Sequence, residues 1–284
     1  MRTVRIRRFF FSILLLTLSL LLSSCALPTR IDTPPAETEA DDSVPTLSFD
    51  GRRYRYSGNA SDIAVVGDSL TIQKEGVYRL TGTLSDGSLS VEVSRGETVH
   101  LILDGVSLSS SHATPLNIRS AACVILELAD GSVNTVSDTA RAPEKEGESL
   151  ACLSADSNLI LCGEGNLSIS GRAGYALSCE GNLEIESAHL SLSSPEVGAR
   201  VRDRLILHSG TLTVTTAKVG IVADDAAGAV GRIEIHGGYL VASCSETALS
   251  AGNAILADGG SASLRAPRLY SSPTLLITAP DFPK

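Results

Sequence analysis

The chain has 284 residues, with 23 Lys and Arg against 32 Asp and Glu, so its formal net charge is −9 at pH 7. This acidic excess disfavours binding to nucleic acids and to bare anionic polymers. Aromatic residues make up only 4% of the chain and Trp is absent. The composition therefore suits a narrow interior that is filled by aliphatic side chains.

The first 24 residues predict a lipoprotein signal peptide. Four Arg precede an apolar segment from Phe9 to Leu22, which is too short to be a confident membrane span. The sequence Leu-Ser-Ser-Cys at its end resembles a bacterial lipobox, which implies lipidation of Cys25 and cleavage before it. A plain signal peptide is the alternative. Cleavage leaves 19 basic residues against 32 acidic ones, a net charge of −13.

Residues 25–46 contain the lipidated Cys and a segment rich in Pro, Thr, Ser and acidic residues. Such a segment cannot bury a core, so it predicts a flexible linker. We therefore expect an extracytoplasmic protein that is anchored to the bacterial cell membrane through its lipid alone, with its folded part facing outward.

From about residue 158 the sequence repeats every 22 to 24 residues as short apolar and polar alternations broken by Gly. Side chains alternate between the two faces of a strand, so the alternation predicts inward columns of apolar residues. One column holds Leu159, Leu183, Leu205 and Ile233, and another holds Leu167, Leu190, Leu212 and Leu240. Three strands per repeat predict an all-β fold, a right-handed, single-stranded parallel β-helix (β-solenoid) of about nine rungs.

The repeat also predicts how the chain is divided. We expect an N-terminal cap and first irregular coils over residues 47–99, the parallel β-helix over 100–265 and a C-terminal tail or cap over 266–284. The repeat widens to 28 residues across 224–231, which predicts an inserted loop. Five cysteines remain after Cys25 is lipidated, and their odd number argues against a disulfide framework. Cys179 is predicted to face inward.

Three segments resemble a known family: Leu-Ile-Leu-Asp-Gly-Val-Ser-Leu from residue 101, a segment from 128 containing an Asn-Thr-Val-Ser-Asp turn, and Gly-Glu-Gly-Asn-Leu-Ser-Ile-Ser-Gly from 163. They resemble bacterial carbohydrate-binding domain-containing surface proteins, which are exported parallel β-helices similar in fold to pectate lyases. The resemblance covers residues 69 to 260. It implies cell-surface binding of plant-type polysaccharides, including acidic ones, calcium at Asp-rich turns and no bond cleavage as a class.

The chain departs from this family at the turns that would bind calcium. Those turns typically read Asn/Asp-Asp-Gly-Ile and supply stacked carboxylates for a hard cation. The matching turns here begin at Arg172, Glu196, Lys218 and Glu246, and none has an Asp before its Gly or Ala. Calcium is thus a possibility that rests on the resemblance alone. The alternating charges predict an exposed ladder of ion pairs instead.

Candidate carbohydrate-binding residues are few. Arg200, Arg202 and Arg204 project from one strand and the bend after it, and guanidinium groups bind carboxylate or sulfate through paired hydrogen bonds. Pairing with Asp203 and with Glu180 on the neighbouring rung is the alternative. Tyr175 and Tyr239 are the tyrosines of the regular rungs, and either ring could stack on a pyranose.

Two groups are candidates for a metal site. Asp224 and Asp225 in the inserted loop could bind a cation or pair with the nearby arginines. Glu186, His208 and His236 fall in one outward column, where imidazoles on neighbouring rungs could hold Zn²⁺ or another transition metal. Plain surface residues at a solvated corner are the alternative.

Catalytic patterns are not visible in the sequence: there is no Gly-x-Ser-x-Gly nucleophile motif and no carboxylate cage beside a basic residue. We predict a non-catalytic, cell-surface polysaccharide-binding lipoprotein, a monomer whose partners are polysaccharide and, through its lipid, the membrane, with no nucleic acid. The contact surface should be one long flat side of the coil. A structural spacer of the envelope and a degenerate polysaccharide lyase are the alternatives.

Overall fold

Short alternating strands connected by tight turns build the whole of the described chain, which covers residues 44–139, 150–225, 228 and 230–283 of a computed structural model. This part contains 27 strands and one 3₁₀ turn, Ala60–Asp62. In chain order the strands are β1 (Thr46–Gly51), β2 (Arg53–Tyr56), β3 (Ile63–Val66), β4 (Ser69–Ile72), β5 (Gly76–Leu84), β6 (Ser88–Glu92), β7 (Thr98–Ser110), β8 (Leu116–Ser120), β9 (Cys123–Leu128), β10 (Val133–Asp138), β11 (Ala151–Ala155), β12 (Asn158–Cys162), β13 (Asn166–Ser170), β14 (Tyr175–Cys179), β15 (Leu183–Ile185), β16 (His189–Ser194), β17 (Val197–Val201), β18 (Arg204–Leu207), β19 (Thr211–Thr216), β20 (Val219–Ala223), β21 (Arg232–Ile235), β22 (Tyr239–Ser243), β23 (Thr247–Ala251), β24 (Ala254–Ala257), β25 (Ser261–Arg265), β26 (Arg268–Ser271) and β27 (Thr274–Ile277).

Parallel pairing stacks these strands into three walls. Wall 1 contains the first halves of β5 and β7, followed by β9, β12, β15, β18, β21, β24 and β27. Wall 2 contains β1, the second halves of β5 and β7, and then β10, β13, β16, β19, β22 and β25. Wall 3 stacks nine parallel strands from β4 to β26. The result is a parallel β-solenoid of about eight turns, which confirms the predicted fold class.

The interior is the aliphatic stack that the alternation predicts. Leu159, Leu183, Leu205 and their equivalents in the second column are each at most 1% exposed. Neighbouring rungs lie about 4.8 Å apart, so each side chain packs against the same position above and below it. Burying one such side chain stabilises the fold by about 1.5–3 kcal/mol, and no rung could bury its own side chains alone.

Wall 2 has a fully buried polar residue, Asn134, at an inward position. Asn134 lies in β10, in register with Leu167 of the next rung, and is 0% exposed. Its Oδ1 accepts a hydrogen bond from the Val106 amide at 3.0 Å, and its Nδ2 donates to Ser132 Oγ at 2.8 Å and to the Asn166 carbonyl at 3.2 Å. The Asn-Thr-Val-Ser-Asp segment is therefore a strand, and its prediction as a turn is wrong.

Three corners join the walls. Corner 1 leads from wall 1 to wall 2, corner 2 from wall 2 to wall 3, and corner 3 from wall 3 to the next wall 1. Corner 1 needs glycine at Gly163 and Gly210, whose φ values are +91° and +79°. A Cβ at these positions would clash with the carbonyl oxygens of Leu128 and Ala188 on the preceding rung, so only Gly allows this approach.

The N-terminal end of the coil is covered by hairpins. Strand β2 pairs antiparallel with β1, and β3 pairs antiparallel with β4. The Tyr56 and Tyr78 rings stack there with centroids 6.2 Å apart. At the other end Phe282 is buried, and Asp281 bridges to Ser261 of β25. These additions protect the first and last rungs, whose backbone groups would otherwise be open to pairing with another chain.

The predicted inserted loop is present, since Arg204 of β18 pairs in register with Arg232 of β21. The predicted signal peptide, the lipidation of Cys25 and most of the predicted linker lie outside the described residues. Within the ranges that are described, no helix is long and apolar enough to cross a membrane.

Candidate functional site

Wall 2 presents a regular array of hydroxyl groups to solvent. On five consecutive rungs, two outward positions of the strand are Ser or Thr, and strand pairing places each directly above its equivalent. We call this surface the hydroxyl face, and it comprises Ser107, Ser109, Thr135, Ser137, Ser168, Ser170, Ser191, Ser193, Thr213 and Thr215. The face results from the same alternation that buries Leu167 and Leu190 on the other side of the wall.

Most of these hydroxyls are available to a ligand. Thr135 Oγ1 donates to Ser107 Oγ at 2.8 Å, and Ser109 Oγ donates to the Leu84 carbonyl at 3.4 Å. The other seven hydroxyls make no hydrogen bond to any protein group in the described part of the chain. None of the ten residues is buried. Each free hydroxyl can both donate and accept, as the hydroxyls of a sugar do.

The hydroxyl face carries no charged side chain. With rungs about 4.8 Å apart, five rungs extend over roughly 20 Å, and the two columns are about 7 Å apart along each strand. The adjoining outward column of wall 2 contains Val133, 68% exposed, and Tyr239, 43% exposed and one rung beyond Thr213. Tyr239 thus lies where a sugar ring could stack at the end of the face.

A cleft of about 350 Å³ borders the hydroxyl face at corner 2. Ser109 and Ser137 of the face form part of its wall, and the remaining lining residues are Asp86, Ser110, Ser111, Asp138, Thr139 and Arg172. Asp138 is buried and its Oδ1 accepts a hydrogen bond from the Arg172 amide at 2.5 Å. The cleft therefore adds two carboxylates to the edge of an otherwise uncharged surface.

Asp86 has the most constrained geometry of the cleft. It is the one residue other than Gly in the described ranges with a positive φ, at +59°. Its Oδ1 accepts hydrogen bonds from the Ser111 hydroxyl at 2.6 Å and the Ser111 amide at 2.8 Å, and Arg52 lies 2.7 Å from Oδ2. The Ser111 bonds, with a smaller effect from His112, lower the pKa of Asp86 to about 2. Asp86 is thus an anchored anion that connects two rungs.

The structure places Arg200, Arg202 and Arg204, the predicted arginine cluster, in three different surroundings. Arg200 lies on wall 3, 3.3 Å from Glu180 and 3.6 Å from Asp224. Arg202 lies at corner 3, and its Nε is 3.3 Å from Asp203, whose hydrogen bond raises the pKa of Arg202. These two arginines follow the alternative interpretation, pairing with acids on their own and neighbouring rungs.

Arg204 differs from both, because it is the first residue of β18 in wall 1 and has no carboxylate at ion-pair distance among the described residues. The two predicted tyrosines also lie apart, Tyr175 on wall 3 and Tyr239 on wall 2. The five predicted carbohydrate-binding residues therefore do not form one site.

The turns at corner 2 do not fit the calcium that the family resemblance implies. Lys218 Nζ lies 2.9 Å from Glu196 Oε1, so an ammonium occupies the space beside the carboxylate, and the ion pair raises the pKa of Lys218. Arg172 does not continue this ladder. The turn before β14 is one residue longer than the turn before β17, because Ser170 pairs with Ser193 but Tyr175 pairs with Val197. Gly174, and not Arg172, therefore lies opposite Glu196.

Glu186, His208 and His236 lie in the predicted register on neighbouring rungs, but the two histidines contact carboxylates other than Glu186. The His208 and His236 rings stack with centroids 5.8 Å apart. His236 Nδ1 lies 2.8 Å from Asp258, and His208 Nε2 lies 3.9 Å from Glu184. Glu186 makes no contact with either ring that qualifies as an ion pair in the described region.

No group of three or more His, Cys, Asp or Glu in the described ranges could hold a metal ion. The structure thus gives no support within those ranges to a metal site at Glu186, His208 and His236, or at Asp224 and Asp225. Asp224 contacts Arg200 instead, although partial burial still raises the pKa of Asp224.

The hydroxyl face and the Asp86 cleft are the features that the sequence-based list of residues missed. The signal was present as Ser-x-Ser and Thr-x-Thr at the outward positions of successive repeats, for example Ser191 and Ser193, then Thr213 and Thr215. No local pattern singles out Asp86, whose role depends on contacts with a rung 25 residues later.

Comparison with known proteins agrees with this architecture. A carbohydrate-binding domain-containing protein of Acetivibrio thermocellus is 24% identical over 163 residues, which cover 56% of this chain and 57% of that protein. The chain thus spans little more than half the length of this curated relative. A solved structure described as a polysaccharide lyase-like protein from C. thermocellum superposes with a TM-score of 0.78 at 20% identity, covering 84% of this chain and 98% of that one. At this identity the superposition shows a shared fold alone.

The family model described as carbohydrate-binding domain-containing protein matches residues 66–273, which is most of the coil. The resemblance found in the sequence is thereby confirmed. This chain belongs to the carbohydrate-binding domain-containing protein family.

Proposed function

We propose that this protein is a non-catalytic, polysaccharide-binding lipoprotein of the bacterial cell surface, and that the hydroxyl face is its contact surface. The observation that carries the proposal is the array of solvent-facing hydroxyls on a chain of this family, seven of them without a partner in the described structure. A repeating polymer of pyranoses offers hydroxyls at regular intervals, so a surface with its own regular spacing can bind several units at once.

Weak contacts suffice for such binding because they are repeated. A single neutral hydrogen bond contributes about 0.5–1.5 kcal/mol net. Several sugars held together along five rungs gain affinity without any one strong contact, and the Tyr239 ring adds a stacking position at the end of the face.

Affinity electrophoresis of the full chain in gels that contain neutral polysaccharides tests the contact surface. Ser191→Lys places a long charged side chain in the middle of the hydroxyl face, and we expect roughly ten-fold weaker retardation because at least one hydrogen bond and the close approach are lost. Ser154→Lys makes the same change on wall 3, where Ser154 also points outward, and should bind as the wild type does. Equal effects of the two variants, or no retardation across a broad panel, would contradict the proposal.

The lipid anchor is supported by the basic and apolar leader and by Cys25. Expression in a bacterial host should recover the wild type in the membrane fraction, whereas Cys25→Ala should be released from it after treatment with high salt. Retention of Cys25→Ala in the membrane would contradict the anchor.

The polysaccharide lyase-like description of the structural relative is the observation that favours a second function, that of a degenerate lyase. A lyase forms unsaturated uronide products that absorb in the ultraviolet. We expect no increase in absorbance when the protein is mixed with polyuronates, and a steady increase abolished by heating the protein would support the lyase instead.

A further inference from the structure

Two arginines are the first residues of two neighbouring strands of wall 1. Arg204 of β18 and Arg232 of β21 are register partners on neighbouring rungs, so their backbones are about 4.8 Å apart. Both side chains are exposed. Like charges that lie directly opposite each other on neighbouring strands destabilise a sheet, so this arrangement has a cost unless an anion offsets it.

The surroundings leave this pair largely uncompensated. In the described structure no carboxylate lies at ion-pair distance from Arg204, and the one acid at ion-pair distance from Arg232 is Glu234, with its Oε1 4.0 Å from Nη1. Asp203 lies beside the pair, but its carboxylate already accepts the hydrogen bond of Arg202 at 3.3 Å. The pair is therefore a local cationic position on a strongly acidic protein.

The two arginines line an open groove of about 370 Å³ together with Asp203, Val230, Gly231 and Asn253. The groove lies at corner 3, whereas the hydroxyl face is the wall between corners 1 and 2. A ligand in the groove therefore contacts a different side of the coil from a ligand on the hydroxyl face.

We propose that Arg204 and Arg232 form an oxyanion-binding site that receives a carboxylate or sulfate group carried by a polysaccharide chain. Each guanidinium presents two parallel N–H donors to a carboxylate or sulfate, and an anion between the two rungs also removes the repulsion between them. The charge of the whole protein does not prevent this, because at physiological salt it is screened over about 8 Å. This site goes beyond the proposed function, because it assigns the binding of anionic groups to two named residues on a surface outside the hydroxyl face.

The test is affinity electrophoresis of the full chain with three polymers: polygalacturonate, dextran sulfate and carboxyl-reduced polygalacturonate as the neutral comparison. The variants are Arg204→Gln, Arg232→Gln and, as the matched control, Arg268→Gln. Arg268 is an exposed arginine at the start of β26 on wall 3, and its replacement changes the net charge by the same amount.

We expect Arg204→Gln and Arg232→Gln each to bind the anionic polymer ~5-fold more weakly than the wild type, while Arg268→Gln is unchanged. The polymer that loses affinity, polygalacturonate or dextran sulfate, identifies the group as carboxylate or sulfate. Binding of the neutral polymer should not differ among the three variants. Ser191→Lys should leave anionic binding intact, so failure of this site and failure of the hydroxyl face give different results.

Two outcomes would overturn the site. One is an equal loss of anionic binding in Arg268→Gln, since that would show a general effect of charge. The other is wild-type binding of both anionic polymers by the double variant Arg204→Gln/Arg232→Gln.

Discussion

Replacement of the buried Asn134 by Ala tests whether wall 2 is joined across rungs as the structure indicates. The side chain is 0% exposed and connects three rungs, through Val106 on one, Ser132 on its own and Asn166 on the next. Each hydrogen bond contributes about 1 kcal/mol net, and a buried amide left without an acceptor costs about 1–3 kcal/mol. The Val106 amide would be left in that state, so we expect Asn134→Ala to lower the free energy of unfolding by about 3–5 kcal/mol.

Urea unfolding of the full chain, followed by far-ultraviolet circular dichroism, measures this loss as a lower midpoint. Asn117→Ala is the matched control, because Asn117 points outward on wall 3 and its side chain makes no hydrogen bond within the described ranges. The free energy of unfolding of Asn117→Ala should stay within about 0.5 kcal/mol of the wild-type value. Hydrogen exchange gives a local readout, since the Val106 amide should exchange faster in Asn134→Ala alone. A loss below about 1 kcal/mol, or equal losses in both variants, would refute the reasoning.

Three further results are expected. The pKa of Asp86 is about 2 when folded and near 3.9 when unfolded, so its charge stabilises the fold above about pH 4 and this contribution is lost as the pH falls from 4 through 2. Asp86→Asn tolerates the same positive φ, so its urea midpoint should lie below that of the wild type at pH 7 and approach it as the pH falls through 2, whereas a gap that does not narrow between pH 4 and pH 2 would contradict this. Burial raises the pKa of Cys179 to about 12, so its thiol should remain unlabelled by alkylating reagents at pH 8 until urea is added, as mapped by mass spectrometry, and rapid labelling of the folded protein would be inconsistent with the structure. Because Lys218 occupies the space beside Glu196, melting temperatures with calcium and with a chelator should agree, and a rise with calcium would show that a cation site exists.

The fold could be predicted because strand alternation is a local property. Leu159 and Leu183 show by their spacing that they share a face, and the repeat shows that the faces stack. Polar side chains at inward positions could not be predicted from the alternation. Asn134 falls at an inward position that the alternation assigns to an apolar side chain, and only its three hydrogen bonds explain why it is there.

The candidate site could be predicted only in part. Arg200, Arg202 and Arg204 are neighbours in sequence, but a corner intervenes, so they point to different surroundings and two of them are paired with acids. The partner of Arg204 is Arg232, which is 28 residues away because of the inserted loop. The predicted column of Leu205 and Ile233 already implies this register, but only the structure shows that Arg204 has no carboxylate at ion-pair distance among the described residues.

The sequence by itself determined which side chains face inward and that a repeat of 22 to 24 residues must wind as a coil, because the parity of a strand and the burial of aliphatic residues are set residue by residue. Only the tertiary structure decided which outward residues meet. One extra residue in the turn before Tyr175 moves Arg172 away from Glu196, and the corner between β17 and β18 separates Arg200 from Arg204. Contacts between rungs depend on the length and path of every turn. A surface that is built from such contacts therefore forms only when the rungs have stacked.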